Sequence, residues 1–208
     1  MGFYDKHVLP RFINCACGTK PIMKQREKVV PQASGTVLEI GIGTGLNLPL
    51  YDAQRVERLI GLDPSEKSWE LAGERAAHLA FDVEFIGLPG EEIPLGDDSV
   101  DTVMVTYALC TIPDPVTALK GMSRVLRPGG KLIFCEHGKA PDPKVVRWQD
   151  RLNPLWRKMA GGCNLNRDIP DILEEGGFNV ASLDQCYLPG TPRFAGYNYW
   201  GTASQITV

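Results

Sequence analysis

The sequence predicts an α/β fold in which helices cover both faces of a seven-stranded, mostly parallel sheet with an antiparallel final strand. Three observations carry this. Short apolar runs alternate with helical patterns through the middle of the chain, and strand, helix, strand at such spacing implies parallel strands joined by right-handed crossovers. The first run ends directly in Gly41-Ile42-Gly43-Thr44-Gly45, a turn at the carboxyl edge of a sheet that only glycines accommodate easily. The chain then closes with two apolar stretches joined by a Pro/Gly-rich turn.

Taken in order, the first 33 residues form a helical lid, punctuated by Pro10, Gly18, Pro21 and Pro31. Within it Phe3, Tyr4, Val8, Leu9, Phe12 and Ile13 make an apolar face among basic residues, which suits either a lid over a ligand or weak contact with a membrane surface. Val37–Ile40 is the first strand, followed by a short helical segment over 47–52, and Leu59–Leu62 is the second. Ser65 caps a helix through Ala77 with Trp69, Ala72 and Ala76 inward. Strands at Val83–Ile86 and Val100–Thr106 follow. Asp114-Pro115 then opens a helix with Val116, Leu119, Met122 and Leu126 inward, which Arg127-Pro128-Gly129-Gly130 ends. After a fifth strand at Lys131–Cys135, residues 137–167 form an insertion with a helix at Lys144–Met159. Asp168–Glu175 is a further helix, stopped by Gly176-Gly177, and Phe178–Cys186 and Ala195–Ile206 are the closing strands.

The 208 residues read as a single domain spanning 1–208. A net charge of -3 argues against general attraction to nucleic acid. No apolar run is long enough to cross a bilayer, and Asp5, Lys6, His7 and Pro10 interrupt any signal-peptide core. Six cysteines without paired spacing read as reduced thiols in a cytoplasmic protein. Cys15 and Cys17 are the only close pair, so spacing gives no metal ligand set.

Asp63 ends the second strand, eighteen residues beyond Gly45. A carboxylate there can accept from both hydroxyls of a ribose, on the same sheet edge as the glycine turn. The third glycine comes one residue earlier than in dinucleotide sites, with Leu46 in the later position, and the following short helix carries Pro49. Both features oppose a pyrophosphate cradle and hence a nicotinamide-dependent reductase.

Leu38-Glu39-Ile40-Gly41-Ile42-Gly43-Thr44-Gly45, Asp97-Asp98-Ser99-Val100-Asp101 and Val125-Leu126-Arg127-Pro128-Gly129-Gly130 resemble, in order, the motifs of class I S-adenosylmethionine-dependent methyltransferases (methyltransferase type 11). The resemblance covers roughly residues 37–178 and implies a Rossmann-like sheet with S-adenosyl-L-methionine as cofactor and S-adenosyl-L-homocysteine as product. Cys135-Glu136-His137-Gly138 and Gly161-Gly162-Cys163-Asn164-Leu165-Asn166-Arg167 resemble segments of small thiol S-methyltransferases, and bacterial phospholipid N-methyltransferases share much of that pattern.

By that resemblance Gly41, Gly43 and Gly45 lie against the cofactor, Glu39 supports the loop or reaches the amino group, and Asp63 with Pro64 holds the ribose. Pro89 stands where an acidic residue usually reads the adenine amine, which leaves that contact to the backbone of Gly90 or to Glu91. Tyr107 and Leu109 flank the transferred methyl. His137 is the first candidate base and Tyr107 the second, His137 alternatively bonding the inserted segment. Cys110 and Cys163 read as apolar fillers, because direct displacement needs no covalent intermediate. Trp148, Leu152, Leu155 and Trp156 are a core stripe or a lid, while Asn164, Asn166 and Arg167 either orient the acceptor or cap the next helix. The expected acceptor is a small thiol, since a thiolate needs no strong base and the chain has three histidines without a catalytic dyad. The alternatives are a phosphatidylethanolamine headgroup amine and a non-catalytic nucleoside-binding module.

Overall fold

A computed structural model describes residues 14–77 and 79–206. The elements are α1 (Lys20–Val29), β1 (Gly35–Ile40), β2 (Val56–Leu62), α2 (Glu66–Ala76), β3 (Asp82–Ile86), β4 (Val100–Thr106), α3 (Pro115–Val125), β5 (Leu126–His137), α4 (Pro143–Met159), α5 (Ile169–Glu175), β6 (Phe178–Tyr187) and β7 (Tyr197–Gln205). The sheet order is β3-β2-β1-β4-β5-β7-β6. Strands β1 to β5 pair in parallel, and β7 runs antiparallel to both neighbours, as expected for the final strand.

Alternation along the central strands divides the core between the two faces. Leu38, Val103, Val105, Leu132 and Phe134 meet α3 and α5 through Leu119, Met122 and Leu173. Val37, Met104 and Ile133 point the other way, toward Val29 of α1 and Ala72 of α2. Strands buried on both faces need the near-continuous apolar runs seen in the sequence. The chain moves outward from β1 through β2 to β3 and then returns to β4 beside β1. This reversal leaves a crevice at the carboxyl ends of β1 and β4, where ligands of open α/β sheets bind.

Three expectations need correction. Pro21 does not break the N-terminal helix but lies in the first turn of α1, where its missing N–H costs nothing. Arg127–Gly130 ends α3 but belongs to β5 as a bulge: Val100 pairs with Leu126 and Thr102 with Lys131. In consequence α3 buries Ala118, Leu119, Met122 and Val125, Leu126 is buried from the strand and Val116 is only half-buried. Helix α1 packs over β5 and β7, while residues 1–13, with the apolar face of Phe3, Tyr4, Val8, Leu9, Phe12 and Ile13, lie outside the described residues. Among the described residues no helix is long and apolar enough to cross a membrane.

Candidate active site

The turn after β1 is held by its glycines. Gly41, Gly43 and Gly45 have φ of +74°, +51° and +72°, the left-handed region that side chains avoid. A Cβ on Gly41 would lie 2.6 Å from that of Ala108, and one on Gly45 2.6 Å from Leu48 Cδ1. A Cβ on Gly43 would meet nothing nearer than 3.8 Å, so this face of the loop is open. Gly43 N–H donates to Asp63 Oδ2 at 3.0 Å and Ser65 N–H to Asp63 Oδ1 at 2.8 Å. Each carboxylate oxygen therefore keeps a lone pair for a ribose hydroxyl. Burial pushes the Asp63 pKa up, while the two N–H bonds oppose it. Pro64, beside it, is exposed.

Glu39 faces inward and is nearly sealed from solvent. Asn47 Nδ2 donates to its Oε1 at 2.9 Å and Tyr51 OH to its Oε2 at 2.7 Å. Arg26, arriving from α1, donates through Nη1 to Asn47 Oδ1 (2.8 Å) and Thr106 Oγ1 (2.6 Å). Glu39 thus ties Asn47 and Tyr51 together beneath the glycine turn. Burial raises its pKa to about 7 against opposing hydrogen bonds from Tyr51 and Asn47 and the charge of Arg26. The folded state holds this proton more tightly than the unfolded chain does, so the contribution to stability falls as pH rises from 4.5 to about 7. Glu39→Gln keeps an acceptor for Asn47, pairs with Tyr51 only if that hydroxyl accepts instead of donating, and removes the titration. Urea unfolding between pH 4.5 and 7.5 is expected to show wild type losing on the order of 3 kcal/mol relative to this variant as pH rises. Parallel stability curves would contradict that assignment.

Gly90 is buried against Ile112 and Ile40, which leaves its backbone, not added bulk, to face a ligand. Glu91 Oε1 accepts from Asp114 N–H at 3.0 Å, and its Oε2 is buried without a partner among the described residues. An open glycine face, free lone pairs on Asp63 and an orphaned acceptor on Glu91 together fit a nucleoside laid along the ends of β1, β2 and β3.

The segment after β4 turns sharply at Tyr107, whose φ of +53° is uncommon outside glycine. Its hydroxyl donates to Asn198 Oδ1 at 2.5 Å and accepts from Cys135 Sγ at 3.6 Å. Burial holds the phenol well above its ordinary pKa of 10, which favours the protonated hydroxyl that donates to Asn198. Leu109 is completely buried, its side chain part of the core. Glu136, fully buried at the end of β5, fixes this segment. Its Oε1 accepts from Ala108 N–H (2.6 Å) and Leu109 N–H (3.0 Å), its Oε2 from Cys110 N–H (3.3 Å).

His137 Nε2 lies 2.9 Å from Cys163 Sγ, so the bond to the inserted segment foreseen as its alternative role is present. Burial disfavours the charged ring, yet Cys163 more than offsets this and raises the His137 pKa. The hydrogen bond with Cys110 and then the charge of His137 lower that of Cys163. Asn164 Nδ2 donates to Cys110 O (2.9 Å) and Arg167 Nη1 to Leu109 O and to Ile112 O (2.7 Å). These residues strap the insertion onto the segment after β4 rather than capping α5, whose Asp168 makes no side-chain cap bond. The expected tryptophan stripe on α4 divides. Trp148 and Leu155 are exposed, while Trp156 turns in, its Nε1 donating to Cys163 Sγ at 3.4 Å.

The fold and site define an α/β enzyme that holds a nucleoside at a strand-order reversal. Residues 38–134 match the methyltransferase domain family. The human thiol S-methyltransferase TMT1B is 35% identical over 176 residues, covering 79% of this chain and 71% of its own. Against human and rat TMT1B the chain spans 71% and 62% of their lengths. A phosphatidylethanolamine N-methyltransferase of Cereibacter sphaeroides is 33% identical over 105 residues, 50% of this chain and 51% of its own. Among solved structures, the methyltransferase bound to the Trm112 activator of Haloferax volcanii superposes with a TM-score of 0.73 at 19% identity, covering 98% of this chain and 96% of its own. The chain belongs to the S-adenosylmethionine-dependent methyltransferases, and S-adenosylmethionine is its methyl donor.

Proposed function

We propose that this methyltransferase acts on the sulfur of a small thiol. The observation that carries this reading is the composition of the acceptor side. It presents Cys163, His137 and Arg167, while the carboxylate of Glu136 is spent on three backbone N–H groups. Such a surface favours an anionic sulfur and offers no free charge to a cationic amine. The TMT1 relatives support the same acceptor.

In this reading Gly41, Gly43 and Gly45 form the floor of the cofactor site, with Glu39 bracing them from beneath. Asp63 takes the ribose hydroxyls, Pro64 follows it at the rim, and the Gly90 backbone with Glu91 takes the adenine. S-adenosylmethionine supplies a methyl group already activated on a sulfonium. The chain has to align the acceptor sulfur and exclude water, which can account for much of the rate. His137 acts at the acceptor side through its contact with Cys163 sulfur, and Tyr107 sets the turn on which that side is built.

A second reading is supported by α4. Trp148 and Leu155 are 58% and 60% exposed on a helix that also carries Lys144, Arg147, Arg151, Arg157 and Lys158. That surface suits an anionic bilayer and hence a lipid headgroup acceptor. Labelled donor offered to matched small thiols and to phosphatidylethanolamine vesicles from pH 6 to 9 separates the two. Thiol methylation is expected to rise with pH up to the thiol's own pKa. Turnover on vesicles with every thiol silent would overturn the thiol reading.

A further inference from the structure

Cys110 in the segment after β4, His137 at the end of β5 and Cys163 in the turn after α4 each bring one ligand atom to within 4.8 Å of the other two. The Cys110 and Cys163 sulfurs are 3.8 Å apart, and His137 Nε2 is 2.9 Å from Cys163 Sγ. We propose that these three side chains form a site for a soft divalent cation, zinc fitting best, whose fourth position takes the acceptor thiolate.

The geometry is close to what zinc requires. Zn–S of about 2.3 Å and Zn–N of about 2.1 Å in a tetrahedron place two sulfurs about 3.8 Å apart and sulfur from nitrogen about 3.6 Å apart. The sulfurs already have that separation. The imidazole has to withdraw by about 0.7 Å from Cys163, and both of those side chains are only partly buried. Two thiolates balance a dication, so the loaded site is neutral beside Arg167. Thiolate and imidazole are also the ligand types that select zinc over magnesium or calcium.

Each ligand is fixed by bonds that do not involve the other two. Cys110 donates its N–H to Glu136 Oε2, and its carbonyl accepts from both N–H and Nδ2 of Asn164. His137 is paired with Asn198 across β5 and β7. Cys163 donates its N–H to Ala160 O at 3.2 Å. Around them, Trp156 Nε1–H is directed at Cys163 Sγ, and Thr111 Oγ1 lies 3.5 Å from Cys110 Sγ. Outer contacts of this kind orient metal ligands and tune the metal.

Three protein ligands leave one tetrahedral position, the arrangement of catalytic rather than structural zinc. That part of the proposal rests on the thiol reading. A thiol entering the position gains a metal–sulfur bond as its S–H bond breaks, and the proton passes to water. The bound thiolate then attacks the methyl carbon of the donor: the acceptor S–C bond forms as the sulfonium S–C bond breaks, its electron pair stays on the departing S-adenosylhomocysteine sulfur, and there is no net oxidation or reduction.

The test uses the full chain stripped with a chelator and kept in a non-thiol reductant, with zinc or cobalt(II) added alone. One equivalent of zinc is expected to remain after gel filtration, and the cobalt form should show sulfur-to-metal charge transfer. Cys163→Ser should reduce affinity by more than tenfold, while Cys186→Ser, outside the cluster, should not. Because such variants can fail to fold, wild type provides a second measurement: zinc should protect Cys110 and Cys163 from alkylation. No retained metal, or equal alkylation with and without zinc, would overturn the site. A small thiol should perturb the cobalt spectrum, and an unchanged spectrum would overturn the fourth-position role. Thiol methylation at full rate by the metal-free protein would also overturn that role while leaving the thiol acceptor standing.

Discussion

Glu136→Ala is expected to lower the stability of the protein by more than about 3 kcal/mol, because it strands three buried donors at once. The N–H groups of Ala108, Leu109 and Cys110 have this carboxylate as acceptor, and an unsatisfied buried group costs about 1–3 kcal/mol. For a chain of 208 residues the midpoint of thermal unfolding should fall by roughly 6–12 °C. Glu136→Gln should lose less. Its remaining oxygen can still accept from Ala108 and Leu109, while its amide faces the Cys110 N–H donor to donor. Circular dichroism melts of the three proteins measure the order. An alanine variant within about 1 kcal/mol of wild type would show that the segment after β4 is held by something other than this carboxylate.

The sheet was readable because its signals are local. Apolar runs mark strands buried on both faces, and Ser65 and Asp114 announce helices that the structure caps through Ser68 N–H and Thr117 N–H. The bulge at Arg127–Gly130 was not readable as strand. Proline and glycines normally punctuate, and only pairing with Val100 and Thr102 shows that the chain continues in the sheet. The glycine turn and Asp63 were legible for the same local reason, since they follow directly on strands β1 and β2.

The cluster of Cys110, His137 and Cys163 was hidden by distance along the chain. Cys163 lies 26 residues from His137 and 53 from Cys110, separations at which no ligand or catalytic spacing is recognisable. Arg26 and Asn47 were missed likewise, since Arg26 reaches Thr106 across 80 residues. Glu136 left one usable signal: an acidic residue immediately after the apolar run Leu132–Cys135 is either exposed at a strand end or buried with demanding partners. The second alternative is the observed one. Tyr107 shows the converse. Its place after β4 was legible, but its positive φ and its bond to Asn198 exist only in the folded chain.

Asp63→Ala is expected to weaken S-adenosylmethionine binding by a hundredfold or more while leaving the sheet intact. Charge-assisted hydrogen bonds are worth about 1.5–3 kcal/mol each, and this carboxylate has a lone pair free on each oxygen for a ribose hydroxyl. Its other lone pairs secure Gly43 N–H and Ser65 N–H, so the alanine also releases the loop that faces the ligand. Two glycine variants separate recognition from loop stability. Gly41→Ala and Gly43→Ala share the cost of a side chain at positive φ, about 1–2 kcal/mol. Only the first drives a methyl carbon to 2.6 Å from Ala108 Cβ, whereas the second meets nothing nearer than 3.8 Å. Gly41→Ala should therefore show the larger loss of stability. Gly43→Ala should remain folded and bind cofactor poorly, because its methyl occupies ligand space. Calorimetric titration with S-adenosylhomocysteine, alongside thermal melts, measures both quantities. Cofactor affinity within twofold of wild type for both Asp63→Ala and Gly43→Ala would place the nucleoside elsewhere on the sheet edge.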